Sequence, residues 1–142
     1  MTIATIISVK GDEVASISSN APLSDAVSEL SERKIGSLLV IDDGQVAGII
    51  SERDVIRGLE EHGGALLDMP VSEVMSSPAI TVAPDSDVLA ALALMTRRRI
   101  RHLPVIEGGE LKGIVSIGDL VKFRIESIEA EAQAMLQYIQ AT

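Results

Sequence analysis

The stretch LLVIDDGQVAGIISERD, residues 38–54, returns as LPVIEGGELKGIVSIGD at residues 103–119. At an offset of 65, eight of the seventeen positions are identical. The shared order is an apolar run, a glycine-containing turn, a second apolar run and Ser-x-x-Asp. A duplicated unit predicts two similar halves packed about a pseudo-twofold axis, and ligands often bind in the cleft at such a junction.

Each copy predicts the order strand, helix, strand, strand, helix, and therefore an α+β fold. In the first copy we expect a helix that begins near Ser24, strands over 37–41 and 46–50 joined by a hairpin turn, and a helix that begins at Ser51. The second copy predicts the same elements: a cap at Ser86 or Asp87, a helix over 88–98, strands over 102–106 and 111–115, and a helix from Ser116.

The chain divides by sequence into four segments. We expect a first unit with an N-terminal segment over 1–62, a connector over 63–78, a second unit over 79–125 and a helical extension over 126–142. Apolar residues of the extension recur in a heptad pattern: Val121, Ile125, Ile128, Ala132, Met135 and Ile139. A helix packed along its own domain would account for this seam, but so narrow a stripe favours contact between two copies in a homodimer.

Composition excludes several classes of function. The net charge of −9 and the presence of only two aromatic residues argue against a nucleic-acid partner. No apolar run reaches the roughly 18 residues that span a bilayer, and we see no signal peptide. The absence of cysteine removes disulfides and thiolate chemistry. We therefore expect a cytoplasmic protein with no membrane contact.

Two Ser-x-x-Asp motifs, Ser51 with Asp54 and Ser116 with Asp119, are the candidate binding groups. Each serine stands where a strand ends and a helix begins, a position suited to phosphate. Each aspartate lies one helical turn further on, where it could accept hydrogen bonds from the two hydroxyls of a ribose. The alternative is a helix capping box, which a single copy would favour. Two copies, each after a glycine-containing strand, favour a nucleotide site.

Each copy supplies one arginine near its motif, Arg53 in the first and Arg101 in the second. If the halves face each other, the two arginines converge on one cleft and leave the other cleft weaker. The basic run at 97–99 ends a predicted helix and suits its dipole. His102 is expected to line the cleft or to satisfy backbone groups at a strand start. No metal site, nucleophile–base pair or Walker loop is present in the sequence, so an enzyme is not expected.

Three segments, IGSLLVIDDGQVAGIISERD, VSEVMSSPAITVAPDSDV and RRRIRHLPVIEGGELKGIVSIGDLVK, resemble a tandem pair of cystathionine-β-synthase (CBS) domains, a Bateman module. The resemblance covers about residues 5–125, and the chain is similar to stand-alone bacterial CBS-pair proteins. It implies two β-α-β-β-α units with two clefts between them. It also implies binding of AMP, ADP, ATP, S-adenosylmethionine or NAD(H), without a catalytic cofactor, and disc-like homodimers.

The resemblance also assigns roles to residues. Asp54 and Asp119 match the ribose-binding aspartates, and Ser51 and Ser116 match the phosphate-side hydroxyls. The segments that contact the base and line the site match Ile17, Gly36, Ser37, Leu38, Ile80, Thr81, Arg101, His102 and Leu103. Leu39 departs from the family, which often has proline there, as at Pro104.

Two functions follow as hypotheses. The leading one is a regulatory sensor without chemistry of its own, which binds AMP, ATP or NAD(H) and signals energy or redox state to an unidentified partner protein. The alternative is a constitutive dimerisation or scaffold module whose clefts are vestigial.

Overall fold

Two antiparallel hairpins form the centre of the fold. The first pairs β2 (Ser37–Asp42) with β3 (Gln45–Ser51), and the second pairs β4 (His102–Glu107) with β5 (Glu110–Ser116). The computed structural model describes residues 1–141. The tandem α+β units predicted from the repeat are confirmed.

The two hairpins match in detail because their residues are duplicated. Both carry a β-bulge at the equivalent step, between Val40 and Ile41 and between Val105 and Ile106. Both turns have positive φ at two central residues, with Gly44 at 76° in the first and Gly109 at 81° in the second. Such turns require residues that tolerate a left-handed backbone, which Asp-Gly and Gly-Gly do.

Helices flank each hairpin. In the first unit, α2 (Leu23–Arg33) precedes β2, and α3 (Glu52–His62) follows β3. In the second unit, α4 (Val88–Arg98) precedes β4, and α5 (Ile117–Ala141) follows β5. The C-terminal extension is thus continuous with the last helix of the second unit.

The start of α2 differs slightly from expectation, whereas the start of α4 agrees with it. Helix α2 begins at Leu23 without a side-chain cap, because the backbone N–H of Leu23 donates to the carbonyl of Met69 at 2.8 Å. Helix α4 is capped by Asp87, whose carboxylate accepts from the N–H of Ala90 at 3.2 Å. A backbone acceptor from the connector therefore replaces the predicted serine cap.

The first strand of each unit is short. Strand β1 (Ser16–Ile17) pairs in parallel with β2. Its counterpart in the second unit is one parallel bridge, in which Val82 donates to Pro104 and accepts from Ile106. The connector carries two short 3-10 helices, Gly63–Asp68 and Val71–Glu73.

Each unit has its own apolar core, and each core includes a segment from outside the repeat. Leu66 and Val71 of the connector are fully buried in the first core. Helix α1 (Ile3–Lys10), which the sequence order places with the first unit, instead buries Ile3 and Ile6 in the second core. The equivalent strands β3 and β5 contact each other where the units meet.

Candidate functional site

Ser51 and Asp54, the first Ser-x-x-Asp motif, form a closed set of hydrogen bonds. We call this pair of residues the first gate. Asp54 accepts from the N–H and the hydroxyl of Ser51, both at 2.9 Å, and the Ser51 hydroxyl accepts from the N–H of Asp54 at 3.3 Å. The hydroxyl of Ser76 donates to the other carboxylate oxygen at 2.8 Å. Asp54 is only 6% exposed, so this carboxylate is buried and well satisfied.

The second motif, the second gate (Ser116 and Asp119), repeats the two bonds that involve backbone N–H groups but has a different partner. Asp119 accepts from the N–H of Ser116 at 2.8 Å, and its own N–H donates to the Ser116 hydroxyl at 3.1 Å. The ammonium of Lys10 lies 2.6 Å from Oδ2 of Asp119, the oxygen that also accepts from Ser116, and it donates to the carbonyl of Ile114 as well. Burial raises the pKa of Asp119, but the Lys10 and Ser116 hydrogen bonds outweigh it and leave this pKa lowered.

Both gates are therefore capping boxes, the alternative that a single motif favoured. The first N–H of each following helix is also engaged: Glu52 donates to Gly36 at 3.0 Å, and Ile117 donates to Arg101 at 2.8 Å. Few backbone donors remain for an anion at these helix starts. Phosphate binding would fall to side chains instead.

The strand glycines show why a different segment reaches each gate. A Cβ at Gly48 would lie 2.6 Å from the carbonyl oxygen of Ser76, so the connector passes directly over β3. A Cβ at Gly113 would lie 2.8 Å from the Cδ1 of Ile7, so α1 passes over β5. Sequence reasoning missed Lys10, because its partner is 109 residues away and no local pattern links them.

A cleft opens beside the first gate and draws on both units. Its wall combines Ser51 and Asp54 with Ile80, Arg101 and His102 of the second unit, all predicted site residues. The remaining lining residues are Ile49, Arg53, Arg57, Ser76, Pro78, Ala79, Arg98, Arg99, Ile100 and Pro104. Aliphatic side chains and cationic groups thus share one cavity.

Five arginines line this cleft, and we call them the arginine cluster (Arg53, Arg57, Arg98, Arg99 and Arg101). The two arginines expected to converge, Arg53 and Arg101, do face the same cavity. Arg57 was missed, although it stands four residues after Arg53 and so on the same helix face. The helix dipole accounts for the basic run at 97–99, and no local pattern indicated that Arg98 and Arg99 line the cleft.

His102 lies at the border of both units. Its ring packs against Gly36, where an added Cβ would approach the Cε1 atom to 3.3 Å. Burial lowers the pKa of His102, and the positive charges of Arg101 and Lys10 lower it further against the opposing effect of Asp119 and Glu52. The imidazole is therefore neutral at pH 7 and can accept as well as donate a hydrogen bond.

The other predicted residues lie away from this cleft. Leu38 and Leu103 are fully buried, each in the core of its own unit, and Ile17 packs against the first core. The hydroxyl of Ser37 is buried and has no hydrogen-bond partner within residues 1–141. Thr81 is exposed beside Ile80. None of these side chains lines the first cleft.

Residues 1–141 lack two further features, a metal-binding cluster and a membrane-spanning helix. No group of three or more His, Cys, Asp or Glu side chains in this range is placed to hold a metal ion. No helix in it has the length and apolar character needed to cross a bilayer.

Comparison with known families places the CBS domain model on residues 7–61 and again on 71–126. Among curated proteins, the chain is 39% identical over 121 residues to the CBS domain-containing protein CBSX3, mitochondrial, of Arabidopsis thaliana. The match covers 82% of this chain and 59% of the plant protein, so the chain spans about three fifths of that relative's length.

Solved structures share the architecture. A protein with CBS domains from Burkholderia ambifaria superposes with a TM-score of 0.84 at 37% identity, covering 89% of this chain and 95% of that one. The CBS domain pair of protein MJ0100, solved with 5′-methylthioadenosine and S-adenosyl-L-methionine, gives a TM-score of 0.78 at 22% identity. That match covers 89% of this chain and 98% of the other, and at this identity it supports the fold alone.

Proposed function

The chain belongs to the CBS domain family as a tandem pair of units, and from this premise we propose that it is a regulatory, non-catalytic sensor of an adenine nucleotide such as AMP, ATP or NAD(H). CBS pairs commonly serve as regulatory modules. The related MJ0100 pair holds two adenosine compounds in its crystal structure. On this proposal, the nucleotide reports energy or redox state, and a regulated protein that is still unidentified reads it.

The observation that carries the proposal is the composition of the first cleft. It joins the buried carboxylate of Asp54 to an aliphatic wall at Ile80 and to the arginine cluster. An adenosine phosphate has three parts with matching needs: an apolar base, a ribose with two hydroxyls and an anionic tail. Each part finds a suitable group within one cavity.

The carboxylate of Asp54 has limited capacity for the ribose. A carboxylate accepts about four hydrogen bonds, and Ser51 and Ser76 already supply three. One position is left, and the Ser76 hydroxyl can rotate to free a second. Because the cleft is built from both units, a bound ligand would favour one relative arrangement of the units, which is the requirement for a signal.

Calorimetric titration with AMP, ATP and NADH tests the proposal. We expect the intact protein to bind at least one of them, and Asp54→Asn to weaken binding about tenfold, the loss of one charged hydrogen bond. Asp119→Asn is the matched control, since it makes the same change at the gate that Lys10 occupies. No binding of any of the three at millimolar concentration would reject the proposal.

The second function is constitutive dimerisation with vestigial clefts, and the seam on α5 supports its dimerisation part. Five of its six residues, Val121, Ile125, Ile128, Met135 and Ile139, are 42–61% exposed in the single chain. Exposed apolar stripes of this kind commonly mark protein contacts. We propose that the chain is a homodimer through α5, whichever function holds.

Light scattering after size exclusion tests the dimer. Ile128→Glu should shift the protein towards the monomer, whereas Gln133→Glu, the same gain of charge outside the seam, should not. Thermal shifts with nucleotide then separate the two functions, because vestigial clefts predict zero shift in the intact protein and in Asp54→Ala with Asp119→Ala alike. The cytoplasmic location stays a prediction.

A further inference from the structure

The arginine cluster concentrates positive charge in an acidic chain. The protein has 12 lysines and arginines against 21 acidic residues, yet five of the 12 line the first cleft. Two come from α3, Arg98 is the last residue of α4, and Arg99 and Arg101 come from the segment before β4. Asp54 is the only acidic residue in the lining, which leaves a formal excess of +4 with His102 neutral.

No ion pair in the described part of the chain neutralises this charge. The ion pairs among residues 1–141 involve Lys10, Arg33, His62 and Lys112, and none involves the cluster. Arg57 also borders a smaller cleft with Glu61 and Glu73, but it pairs with neither. Five guanidinium groups that share one cavity repel one another, so an anion bound there would relieve an unfavourable interaction.

Structural roles account for part of the cluster only. Arg53 donates to the carbonyl of Arg99 at 2.6 Å and so caps the end of α4. Arg98 and Arg99 also suit the negative end of the α4 dipole. Arg57 and Arg101 have no such role, and Arg53 uses one of its five donors. Most of the donors in the cluster remain available.

We infer that the first cleft selects nucleotides with two or more linked phosphates over nucleoside monophosphates. One phosphate carries about −1.5 to −2 charges and three terminal oxygens. Two arginines in bidentate contact therefore nearly saturate it. Five arginines and an excess of +4 match the chain of a di- or triphosphate, or the pyrophosphate of a dinucleotide. This inference rests on the proposed function and specifies the ligand of the same site.

Calorimetric titration of the full chain with AMP, ADP, ATP, NADH and inorganic pyrophosphate, at one fixed ionic strength, tests it. We expect the tightest of the linked-phosphate nucleotides to bind at least tenfold more tightly than AMP. Arg98→Gln with Arg101→Gln should weaken that ligand tenfold or more and AMP by less. Comparing ATP with NADH then distinguishes a terminal polyphosphate from a bridging pyrophosphate.

Arg97→Gln is the control, because Arg97 is exposed on the same turn of α4 but does not line the cleft. AMP binding as tightly as every linked-phosphate ligand would overturn the inference and leave the proposed function standing. If Arg97→Gln weakened nucleotide binding as much as the double variant does, the inference would also be overturned. The affinity would then come from the long-range charge of the protein and not from direct contact with the arginines of the cleft. Pyrophosphate binding without any nucleotide binding would reject the nucleotide sensor and overturn the inference that rests on it.

Discussion

The two gates have almost the same bonds within themselves but differ in what lies over them. Ser76, a neutral group from the connector, reaches Asp54, whereas the cation of Lys10 on α1 reaches Asp119. The arginine cluster lies beside the first gate. The repeated sequence thus determines the local geometry twice, and segments outside the repeat make the two sites unequal.

The difference between the two gates depends on the packing of α1 against the second unit. Loss of this contact is expected to have the largest effect on stability. Ile3 is fully buried in the second core, so Ile3→Ala should lower the free energy of unfolding by about 3 kcal/mol. Urea denaturation measures this. Val9→Ala, on the same helix but 84% exposed, should change it by less than about 0.5 kcal/mol. Equal effects of the two variants would mean that α1 does not hold the second unit.

A smaller difference is expected between the two aspartates. Asp54→Ala removes a cap and the hydrogen bonds that a buried carboxylate accepts from the half-buried Ser51 and the exposed Ser76, which should cost about 2–3 kcal/mol of unfolding free energy. Asp119→Ala removes a cap and a partly exposed ion pair, which should cost about 1 kcal/mol. The same urea series applies. A cost for Asp119→Ala equal to that for Asp54→Ala would show that the gates are energetically alike.

The sequence predicted the parts of the molecule that depend on near neighbours. Hairpins with Asp-Gly and Gly-Gly turns, the Ser-x-x-Asp caps and the long last helix all follow from local residue types. The serine cap predicted for α2 was wrong, because the first N–H of the helix bonds to Met69, more than forty residues away. Local pattern carries no information on such a partner.

The residues of the candidate site also divide into those that local sequence comparison predicts and those that it does not. Arg53 and Arg101 were found by comparing the copies, since each is present where the other copy has glycine. Arg98 and Arg99 were not, because a helix end explains a basic run without reference to a cleft. Lys10 could not be found, since only the path of α1 across the second unit brings it to Asp119.

Substitution of Lys10 should sharpen the difference between the two gates. Asp119 cannot offer the oxygen that Lys10 holds at 2.6 Å to a ribose without losing that ion pair. Lys10→Met keeps the aliphatic stem and removes the charge, so we expect a second nucleotide to bind and the calorimetric stoichiometry to rise from one towards two per chain. Ser76→Ala is the matched change at the first gate and should leave the stoichiometry at one. Unchanged stoichiometry in Lys10→Met would show that Lys10 does not restrict the second cleft.

The smallest effect concerns His102, which lines the first cleft and is affected by the charges of Lys10 and Asp119 at the second gate. Its pKa in the folded protein is lowered from 6.5 by burial, Arg101 and Lys10, so the unfolded chain takes up a proton first as the pH falls. His102 therefore contributes stability that is present above pH 6.5 and is lost as the pH decreases through the folded pKa. His102→Gln should flatten this part of the pH dependence of urea unfolding.

Lys10→Met provides the sharper version of this test, because it removes one cause of the lowered pKa without touching the first cleft. The pKa of His102, followed by NMR titration of its ring protons, should rise in this variant. Lys112→Met removes a lysine that pairs with Glu110 at the hairpin turn and serves as the control. A His102 titration that is the same in both variants would mean that the charge at the second gate is not felt at the first cleft, and the two sites would then be electrostatically independent.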